Sequence, residues 1–329
     1  MAVLVTGAAG FIGLHVSEAL LARGERVLGI DDLNSYYDPA LKEARLERLR
    51  RHAGFAFFRL DIGDEEAMNA WAEEHGREVE AVIHLAAQAG VRYSLERPMA
   101  YVKSNLVGHM VILELCRRRL PRCDRLVYAS SSSVYGANRK MPFAVGDRVD
   151  DPVSLYAATK RADELLSESY ARLYDLPQTG LRFFTVYGPW GRPDMAYYSF
   201  AEAITAGRPV TLYNHGRMRR DFTYIDDVTA GVLAARDRLP EPREDGVRHR
   251  LYNLGNNRPV ELERFVRVLE DALGRRAKIR YAEMQPGDVV ETYADIEASR
   301  RDLGYQPRVG IEEGLGRFAA WYRTYHGAG

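Results

Sequence analysis

The chain has 329 residues, which is long enough to bury a large core in one domain or in two interleaved domains. Its 46 basic and 46 acidic side chains give a net charge of zero, so no overall field attracts nucleic acid or an anionic membrane. Two cysteines match neither a disulfide framework nor a metal-ligand pattern, and there is no signal-peptide pattern and no apolar run of roughly 20 residues. We therefore expect a cytoplasmic protein with no metal, nucleic-acid or membrane partner.

A glycine-rich segment follows the first predicted strand. Residues 2–6 are apolar and β-branched, and they lead into Gly7, Gly10 and Gly13 and then a helical pattern that runs to Arg23. A strand, a glycine turn and a helix N-terminus together can bind a pyrophosphate. The spacing differs from the better-known Gly-x-Gly-x-x-Gly, and tight packing without a ligand is the structural alternative.

An acidic pair ends the second predicted strand. That strand covers residues 26–30, and Asp31 and Asp32 follow it directly. A carboxylate at this place can accept hydrogen bonds from both hydroxyls of an adenosine ribose and would repel a 2′-phosphate. Together with the glycine segment, it indicates a dinucleotide site that prefers NAD to NADP.

Strands and helices continue to alternate as far as residue 185. The predicted elements are an exposed helix within residues 36–53, a strand at 55–60, a helix that Asp64 caps and that ends at His75, a strand at 79–85, a helix at 99–119, and strands at 126–129 and 179–185. This alternation predicts an α/β fold with a Rossmann-type, doubly wound parallel sheet. Ligands of such sheets lie beyond the carboxyl ends of the strands, where the glycine segment, Asp31, Asp61 and the serines at 130–133 all fall.

Tyr156 and Lys160 lie on a predicted helix that begins near Ser154. Their spacing places them on one face of the helix with Cβ atoms roughly 6 Å apart. An ammonium near a phenol favours the phenolate, which can then accept a proton from a hydroxyl. Such a pair also occurs by chance on surface helices. The serines at 130–133 could bond the same substrate oxygen, although they could also form a solvated turn.

The composition changes after Trp190 towards turns, aromatic residues and shorter elements. The predicted elements are a helix at 197–206, a strand at 210–213, a turn at 214–217, a helix from 224 to about 238, a strand at 251–255, a helix at 262–273, a strand at 278–281 and a C-terminal helix through 325.

Several motifs taken together resemble the extended short-chain dehydrogenase/reductase superfamily. They are residues 6–13, Asp61, residues 84–87, Ser131 and Tyr156-x-x-x-Lys160. Longer segments look like UDP-glucuronate 4-epimerases, and they lie at 88–94, 129–136, 181–195 and 218–227. This resemblance covers essentially the whole chain.

The resemblance implies two domains that bind different ligands. Residues 1–186 would form an NAD-binding Rossmann domain, and residues 187–329 would mainly form a smaller mixed α/β domain that binds a nucleotide sugar. The two would be interleaved, with part of 215–260 returning to the first domain. A homodimer through the helices at 99–119 and 154–174 is implied as well.

The family uses and regenerates tightly bound NAD within one turnover. By resemblance, Tyr156 is the base for the C4 hydroxyl of UDP-glucuronate, Lys160 holds the nicotinamide ribose, and Ser131 bonds the C4 oxygen. Hydride would leave C4 and return to the other face of the 4-keto sugar, which gives UDP-galacturonate. The implied cofactor contacts are Gly7, Gly10, Phe11, Ile12, Gly13, Asp31, Asn34, Ser35, Asp61, Ile62, Leu85, Ala86, Ala87, Asn105, Tyr156 and Lys160.

The 4-keto intermediate carries a carboxylate β to its ketone, and such an acid loses CO2 when the breaking bond aligns with the carbonyl π system. By resemblance, Ser132, Ser133, Thr185 and Arg192 lie near the sugar, and Arg192 could hold the carboxylate in a charge-assisted pair. The alternative for Arg192 is a solvated loop residue. The other implied substrate contacts are Arg92, Arg220 on the diphosphate and Asp288 on the uridine ribose. Gln285 occupies a position where a second phosphate-binding arginine is common.

Four alternatives remain open at this stage. Another UDP-sugar 4-epimerase shares the fold but would not need Arg192. UDP-glucuronate decarboxylases and nucleotide-sugar 4,6-dehydratases usually place acidic residues in the segment at 131–133, which here holds only serines. A redox-inert NAD-binding regulator would have no use for Tyr156, Lys160 and Ser131.

Overall fold

A computed structural model describes residues 1–284 and 289–327. Strands and helices alternate through the first half of the chain. In order, the elements are β1 (Ala2–Thr6), α1 (Phe11–Ala22), β2 (Arg26–Asp31), α2 (Pro39–Arg50), β3 (Phe55–Arg59), α3 (Glu65–His75), β4 (Val79–His84), α4 (Tyr93–Glu96), α5 (Pro98–Tyr101), α6 (Gly108–Arg118), β5 (Leu126–Ser131), α7 (Leu155–Tyr174) and β6 (Gln178–Phe183).

The second half has shorter strands. Its elements are β7 (Thr185–Tyr187), α8 (Ala196–Thr205), β8 (Pro209–Leu212), β9 (Arg219–Tyr224), α9 (Ile225–Asp237), β10 (His249–Leu254), β11 (Pro259–Glu261), α10 (Leu262–Leu273), β12 (Lys278–Tyr281), α11 (Glu297–Leu303) and α12 (Ile311–His326). Among the described residues, no helix is both long enough and apolar enough to cross a membrane.

The largest sheet within the described ranges has seven parallel strands in the order β10-β6-β5-β4-β1-β2-β3. This confirms the predicted Rossmann-type parallel sheet. The chain winds outward in opposite directions from β1, towards β2 on one side and β4 on the other. Such a switch of direction opens a crevice at the carboxyl ends of the strands, and it is the usual ligand site of these sheets.

Alternate residues of β1 pack into two apolar cores, one on each face of the sheet. Val3 and Val5 belong to the larger core, which also holds side chains from α1 and α9. Ala2 and Leu4 belong to a smaller core built with α3 and α6. Because helices cover both faces, every residue of β1 is buried, and this explains the uninterrupted apolar run in the sequence.

The second half of the chain contributes to two different layers. β10 pairs with β6 and thus extends the parallel sheet, although it follows β8 and β9 in the chain. Meanwhile β9 pairs with both β7 and β11 in a small mixed sheet, and β8 pairs with β12. The chain therefore returns to the first sheet after it has begun the second.

Two helices differ from their predictions. The single helix expected over 99–119 is interrupted by a π-helical turn at Val102–Val107, within which Asn105 turns inward to bond Gln88 and Thr159. The exposed helix expected within 36–53 is partly buried, because Arg45 of α2 donates to carbonyl oxygens of two distant loops.

Candidate active site

A cavity of about 420 Å³ lies at the carboxyl edge of the parallel sheet. Elements from both halves of the chain surround it, including the loop between β1 and α1, the end of β5 and the start of α7. Of the residues predicted from the sequence, the cavity is lined by Gly7, Gly10, Phe11, Ile12, Gly13, Leu85, Ala87, Ser131, Ser132, Ser133, Tyr156, Lys160, Thr185, Arg192 and Arg220.

A second pocket of about 60 Å³ adjoins this cavity, and Gly7 and Ala87 line both. Its other predicted residues are Asp31, Asn34, Asp61, Ile62 and Ala86. The two pockets together form a groove across the sheet edge, which matches the extended shape of a dinucleotide.

The loop between β1 and α1 fits a pyrophosphate. α1 begins with no side-chain cap and no acidic residue in its first turn, and its first N–H groups have no acceptor within the helix. A Cβ on Gly13 would lie 2.0 Å from the carbonyl oxygen of Gly7. Gly7 itself has φ +72°, and its Cβ would lie 2.8 Å from the amide nitrogen of Ala86. Glycine is therefore required at both positions, and the loop backbone lies open to a ligand.

Asp31 is fixed at the end of β2 by the surrounding backbone. Its carboxylate accepts from the amide of Ala9 at 3.2 Å and from the amide of Leu33 at 2.9 Å, and Lys42 Nζ lies 3.7 Å away. Burial raises the pKa of Asp31, whereas Lys42 acts to lower it. The carboxylate lines the smaller pocket, where it fits the hydroxyls of an adenosine ribose.

The first turns of α7 present Tyr156 and Lys160 to the cavity. Ser154 caps the helix by accepting from the amide of Ala157 at 3.1 Å. Lys160 is buried, and its Nζ donates to the carbonyl oxygen of Ala129 at 3.0 Å and to Asp163 Oδ2 at 3.1 Å. The ammonium is therefore held between the end of β5 and α7.

Asp163 is a member of this site that sequence patterns did not indicate. Burial raises the pKa of its carboxyl group to about 6, although Lys160 acts to lower it. The position three residues after Lys160 on a helix is a weak signal, because charged pairs at this spacing are common on solvated helix faces.

The serines at the end of β5 have different partners. Ser131 Oγ accepts from the amide of Ser133 and donates to its hydroxyl, both at 3.1 Å. Ser130 donates instead to Glu164 of α7 at 2.7 Å, and Arg182 of β6 holds the same carboxylate through bonds of 2.8 and 2.9 Å. This buried cluster ties α7 to β5 and β6, so it sets the separation between Tyr156 and Ser131.

Arg192 lies at the cavity wall and is not the solvated residue considered as an alternative. Its Nε donates to Asp194 Oδ1 at 3.0 Å and its Nη2 donates to Asp194 Oδ2 at 2.6 Å. The hydroxyl of Tyr36 donates to the same Oδ2 at 3.1 Å. A guanidinium with one edge already paired thus faces the site predicted for a sugar carboxylate.

Some predicted contacts lie outside the two pockets. Asn105 is occupied by its bonds to Gln88 and Thr159, Ser35 is exposed in the loop after β2, and Arg92 stacks 5.1 Å above the ring of Tyr213. Asp288 and Gln285 lie outside the described residues. The cavity wall also includes Gly90, Phe143, Met195 and Thr292, which sequence patterns did not single out as site residues.

The model of the NAD dependent epimerase/dehydratase family matches residues 3–255. The chain belongs to this family, which confirms the resemblance to the extended short-chain dehydrogenase/reductases. It is 48% identical over 335 residues to a probable UDP-glucuronate 4-epimerase of Rhizobium meliloti (strain 1021), covering 98% of this chain and 97% of the relative. It is 47% identical over 334 residues to UDP-glucuronate 4-epimerase 4 of Arabidopsis thaliana, covering 98% and 76%.

A solved structure shares the fold over nearly the whole length. The UDP-glucuronic acid 4-epimerase from Bacillus cereus, in complex with UDP-glucuronic acid and NAD, aligns with a TM-score of 0.89 and 32% identity. The alignment covers 99% of this chain and 100% of that chain.

Proposed function

We propose that the protein interconverts UDP-glucuronate and UDP-galacturonate by epimerisation at C4, with NAD as its cofactor. One observation carries the proposal: a single cavity holds groups that bind and deprotonate a sugar hydroxyl, together with a half-buried arginine suited to a carboxylate. The first set is Tyr156, Lys160 and Ser131, and the arginine is Arg192. Relatives that are 48% and 47% identical over almost the whole chain carry the same activity in their names.

Residues of the chain transfer the proton of the C4 hydroxyl and bind the C4 oxygen. When bound, NAD supplies the acceptor for the C4 hydride and its return. Tyr156 takes the proton of the C4 hydroxyl and later gives it back to the C4 oxygen. Ser131 donates a hydrogen bond to that oxygen, while Lys160 keeps a positive charge beside Tyr156 and holds the nicotinamide ribose.

Arg192, Ser132, Ser133 and Thr185 hold the sugar carboxylate. Their task is to keep the bond between C5 and the carboxylate out of line with the π system of the C4 ketone, so that CO2 is retained. The serines at 131–133 offer no carboxyl group that would act as an acid or base in a decarboxylation or dehydration. This favours the epimerase over those two alternatives.

The two halves of the chain bind different ligands. We propose that residues 1–186 bind NAD through the glycine loop and the pocket around Asp31, and that residues 187–329 mainly bind the nucleotide sugar. Arg220 of β9 lines the cavity and neutralises the diphosphate. The return of β10 to the parallel sheet brings the nucleotide-sugar half against the cofactor half.

Incubation of the purified protein with UDP-glucuronate and NAD, followed by NMR of the products, tests the function. We expect UDP-galacturonate as the main product, with CO2 released in only a small fraction of turnovers. UDP-xylose or a stable 4-keto sugar would refute the epimerase, and an inert protein would favour the NAD-binding regulator. Parallel assays with UDP-glucose identify a 4-epimerase of uncharged sugars, which would turn over UDP-glucose in preference.

We also propose a homodimer, in a reducing cytoplasmic compartment where Cys116 and Cys123 stay as free thiols. Leu95, Met99 and Leu165 are large apolar side chains with 70%, 71% and 53% of their surface exposed. They lie on α4, α5 and α7, which pack beside one another. Exposed apolar side chains on neighbouring helices fit an interface with a second copy of the chain.

The double substitution Met99→Glu and Leu165→Glu is expected to produce a monomer, because it places four carboxylates in the proposed apolar interface. Light scattering during size-exclusion chromatography should give the chain mass of 37.2 kDa for the variant and twice that mass for the wild type. Ile279→Glu is the matched control, since Ile279 is exposed on the distant strand β12. A wild-type monomer, or a variant that stays dimeric, would contradict the proposal.

A further inference from the structure

Asp194 occupies one edge of the Arg192 guanidinium. The pair uses Nε and Nη2, and Nη2 also contacts Met195 Sδ at 3.9 Å, so a second carboxylate would bind through Nη1 on the opposite edge. Burial raises the pKa of the Asp194 carboxyl, but Arg192 outweighs it and holds that pKa below its usual range. Arg192 is therefore already paired with a carboxylate of the protein when the substrate binds.

Tyr36 holds Asp194 in place from the cofactor side of the cavity. Its hydroxyl donates to Asp194 Oδ2, and its amide donates to Asn34 Oδ1 at 3.2 Å. Burial and the charge of Asp194 raise the pKa of Tyr36, so the phenol stays a neutral donor. Because Asn34 lines the smaller pocket, one loop contacts both the ribose site and the carboxylate of Asp194.

The backbone next to Arg192 is held from the same direction. Arg45 of α2 donates to the carbonyl oxygens of Trp190 at 2.7 Å and Gly191 at 3.0 Å, and also to the carbonyl oxygen of Ala9 at 3.0 Å. Helix α2 thus fixes the main chain before Arg192 through Arg45, and the loop before α2 fixes the guanidinium through Tyr36 and Asp194.

A fixed guanidinium with one occupied edge restricts how a substrate carboxylate can bind. Two carboxylates around one arginine repel each other, so the substrate group is directed to the edge away from Asp194. We propose that Asp194, which Tyr36 holds in place, is a positioning residue. It confines the substrate carboxylate to the edge of Arg192 that lies away from Asp194, and so prevents loss of CO2 from the 4-keto intermediate. This inference rests on the proposed function.

The side reaction is decarboxylation of the 4-keto intermediate. The bond between C5 and the carboxylate breaks, its electron pair forms the enolate of the C4 ketone, and CO2 departs. Protonation at C5 then gives a 4-keto pentose. The step requires the breaking bond to lie parallel to the carbonyl π system, so a carboxylate that can rotate on Arg192 reaches this alignment more often.

Asp194→Asn and Tyr36→Phe test the inference with UDP-glucuronate that carries ¹³C in its carboxylate. The readout is the ratio of labelled CO2 released to UDP-galacturonate formed, measured by NMR. We expect this ratio to rise about tenfold in Asp194→Asn and about threefold in Tyr36→Phe, which loses one hydrogen bond to a charged group. The dissociation constant of UDP, which lacks the glucuronosyl group and its carboxylate, should not change.

Matched substitutions outside the cavity serve as controls. Asp245→Asn removes a carboxylate that pairs with Arg172 and Arg243, and Tyr170→Phe removes a hydroxyl that donates to Glu114 at 2.5 Å. Both should leave the ratio at the wild-type value.

Each outcome of these measurements either supports or overturns the role proposed for Asp194. Slower turnover with an unchanged CO2 ratio in both variants would mean a structural role only and would overturn it. If Asp194→Asn does not fold, Tyr36→Phe decides alone, because that change leaves the Arg192–Asp194 pair intact. Wild-type protein that leaves UDP-glucuronate unconverted refutes the proposed function and the inference together, whereas an active wild type with unchanged variants refutes only the inference.

Discussion

Replacing Tyr156 by phenylalanine should lower kcat for epimerisation of UDP-glucuronate by about 10³-fold, because it removes the hydroxyl that we propose as the acceptor of the C4 proton. The rest of the site should persist. The ring of Tyr156 makes an edge contact with Tyr101 at a centroid distance of 6.1 Å, which a phenylalanine ring can keep. Lys160 is held by Ala129 and Asp163 and does not depend on the lost hydroxyl.

Two measurements separate catalysis from binding in this variant. NMR progress curves give the turnover, and chromatography of the nucleotide released on denaturation gives the NAD content per chain, which should equal that of the wild type. Tyr174→Phe is the matched control, since Tyr174 lies at the end of the same helix and outside the cavity. Turnover of Tyr156→Phe within tenfold of the wild-type value would exclude Tyr156 as the base.

Replacing Arg182 by leucine should destabilise the fold by about 3 kcal/mol, because the buried charge of Glu164 would lose its buried partner and keep only the hydroxyl of Ser130 and the partly exposed Arg161. Arg182 and Glu164 have side-chain exposures of 1% and 0%, and two hydrogen bonds join them. Urea unfolding at pH 7 measures the loss. The double variant with Glu164→Gln should recover part of this loss, since it removes the buried charge that Arg182 no longer compensates. A double variant as unstable as Arg182→Leu would contradict this explanation.

The contribution of the Arg182–Glu164 pair to the stability of the fold depends on pH. Burial acts to raise the pKa of Glu164, but hydrogen bonds and charge from Arg182 outweigh it, so the pKa is lowered. A lowered pKa in the folded state means that the pair stabilises the protein fully above the unfolded-state pKa of about 4.3 and ceases to do so as the pH falls through the folded value. In Arg182→Leu the largest lowering contributions to the pKa of Glu164 are lost while burial remains, so the protonated form becomes more favourable than in the wild type, even though Ser130 and Arg161 still bond the carboxylate. The destabilisation should therefore be smaller at pH 5 than at pH 7.

Elements with a strong local pattern were predicted closely. The helix at 262–273 and the strand at 278–281 have the predicted bounds in the structure, as α10 and β12. In α10, apolar residues recur with helical spacing on one face, and Gly274 ends the helix in a left-handed conformation. These signals act between residues only a few positions apart, so they are present in the chain before it folds.

Short elements that depend on distant partners were not predicted. β9 and β11 form an antiparallel pair in which Val260 lies opposite Arg220, and neither segment has a clear strand pattern of its own. The π-helical turn at Val102–Val107 was missed as well, because it accommodates bonds from Asn105 to Gln88 and to Thr159 on α7. Tertiary contacts outweigh local preference in such places.

The sequence by itself determined the glycine turn, the carboxylate at the end of β2 and the spacing of Tyr156 and Lys160, since each depends on neighbours in the chain. Only the tertiary structure decided what holds these groups. Tyr36 meets Asp194 across 158 positions, and no periodicity connects them. Hydrogen bonds of this kind depend on distances that the packing of separate helices and strands sets, so the support of Arg192 became visible only in the folded chain.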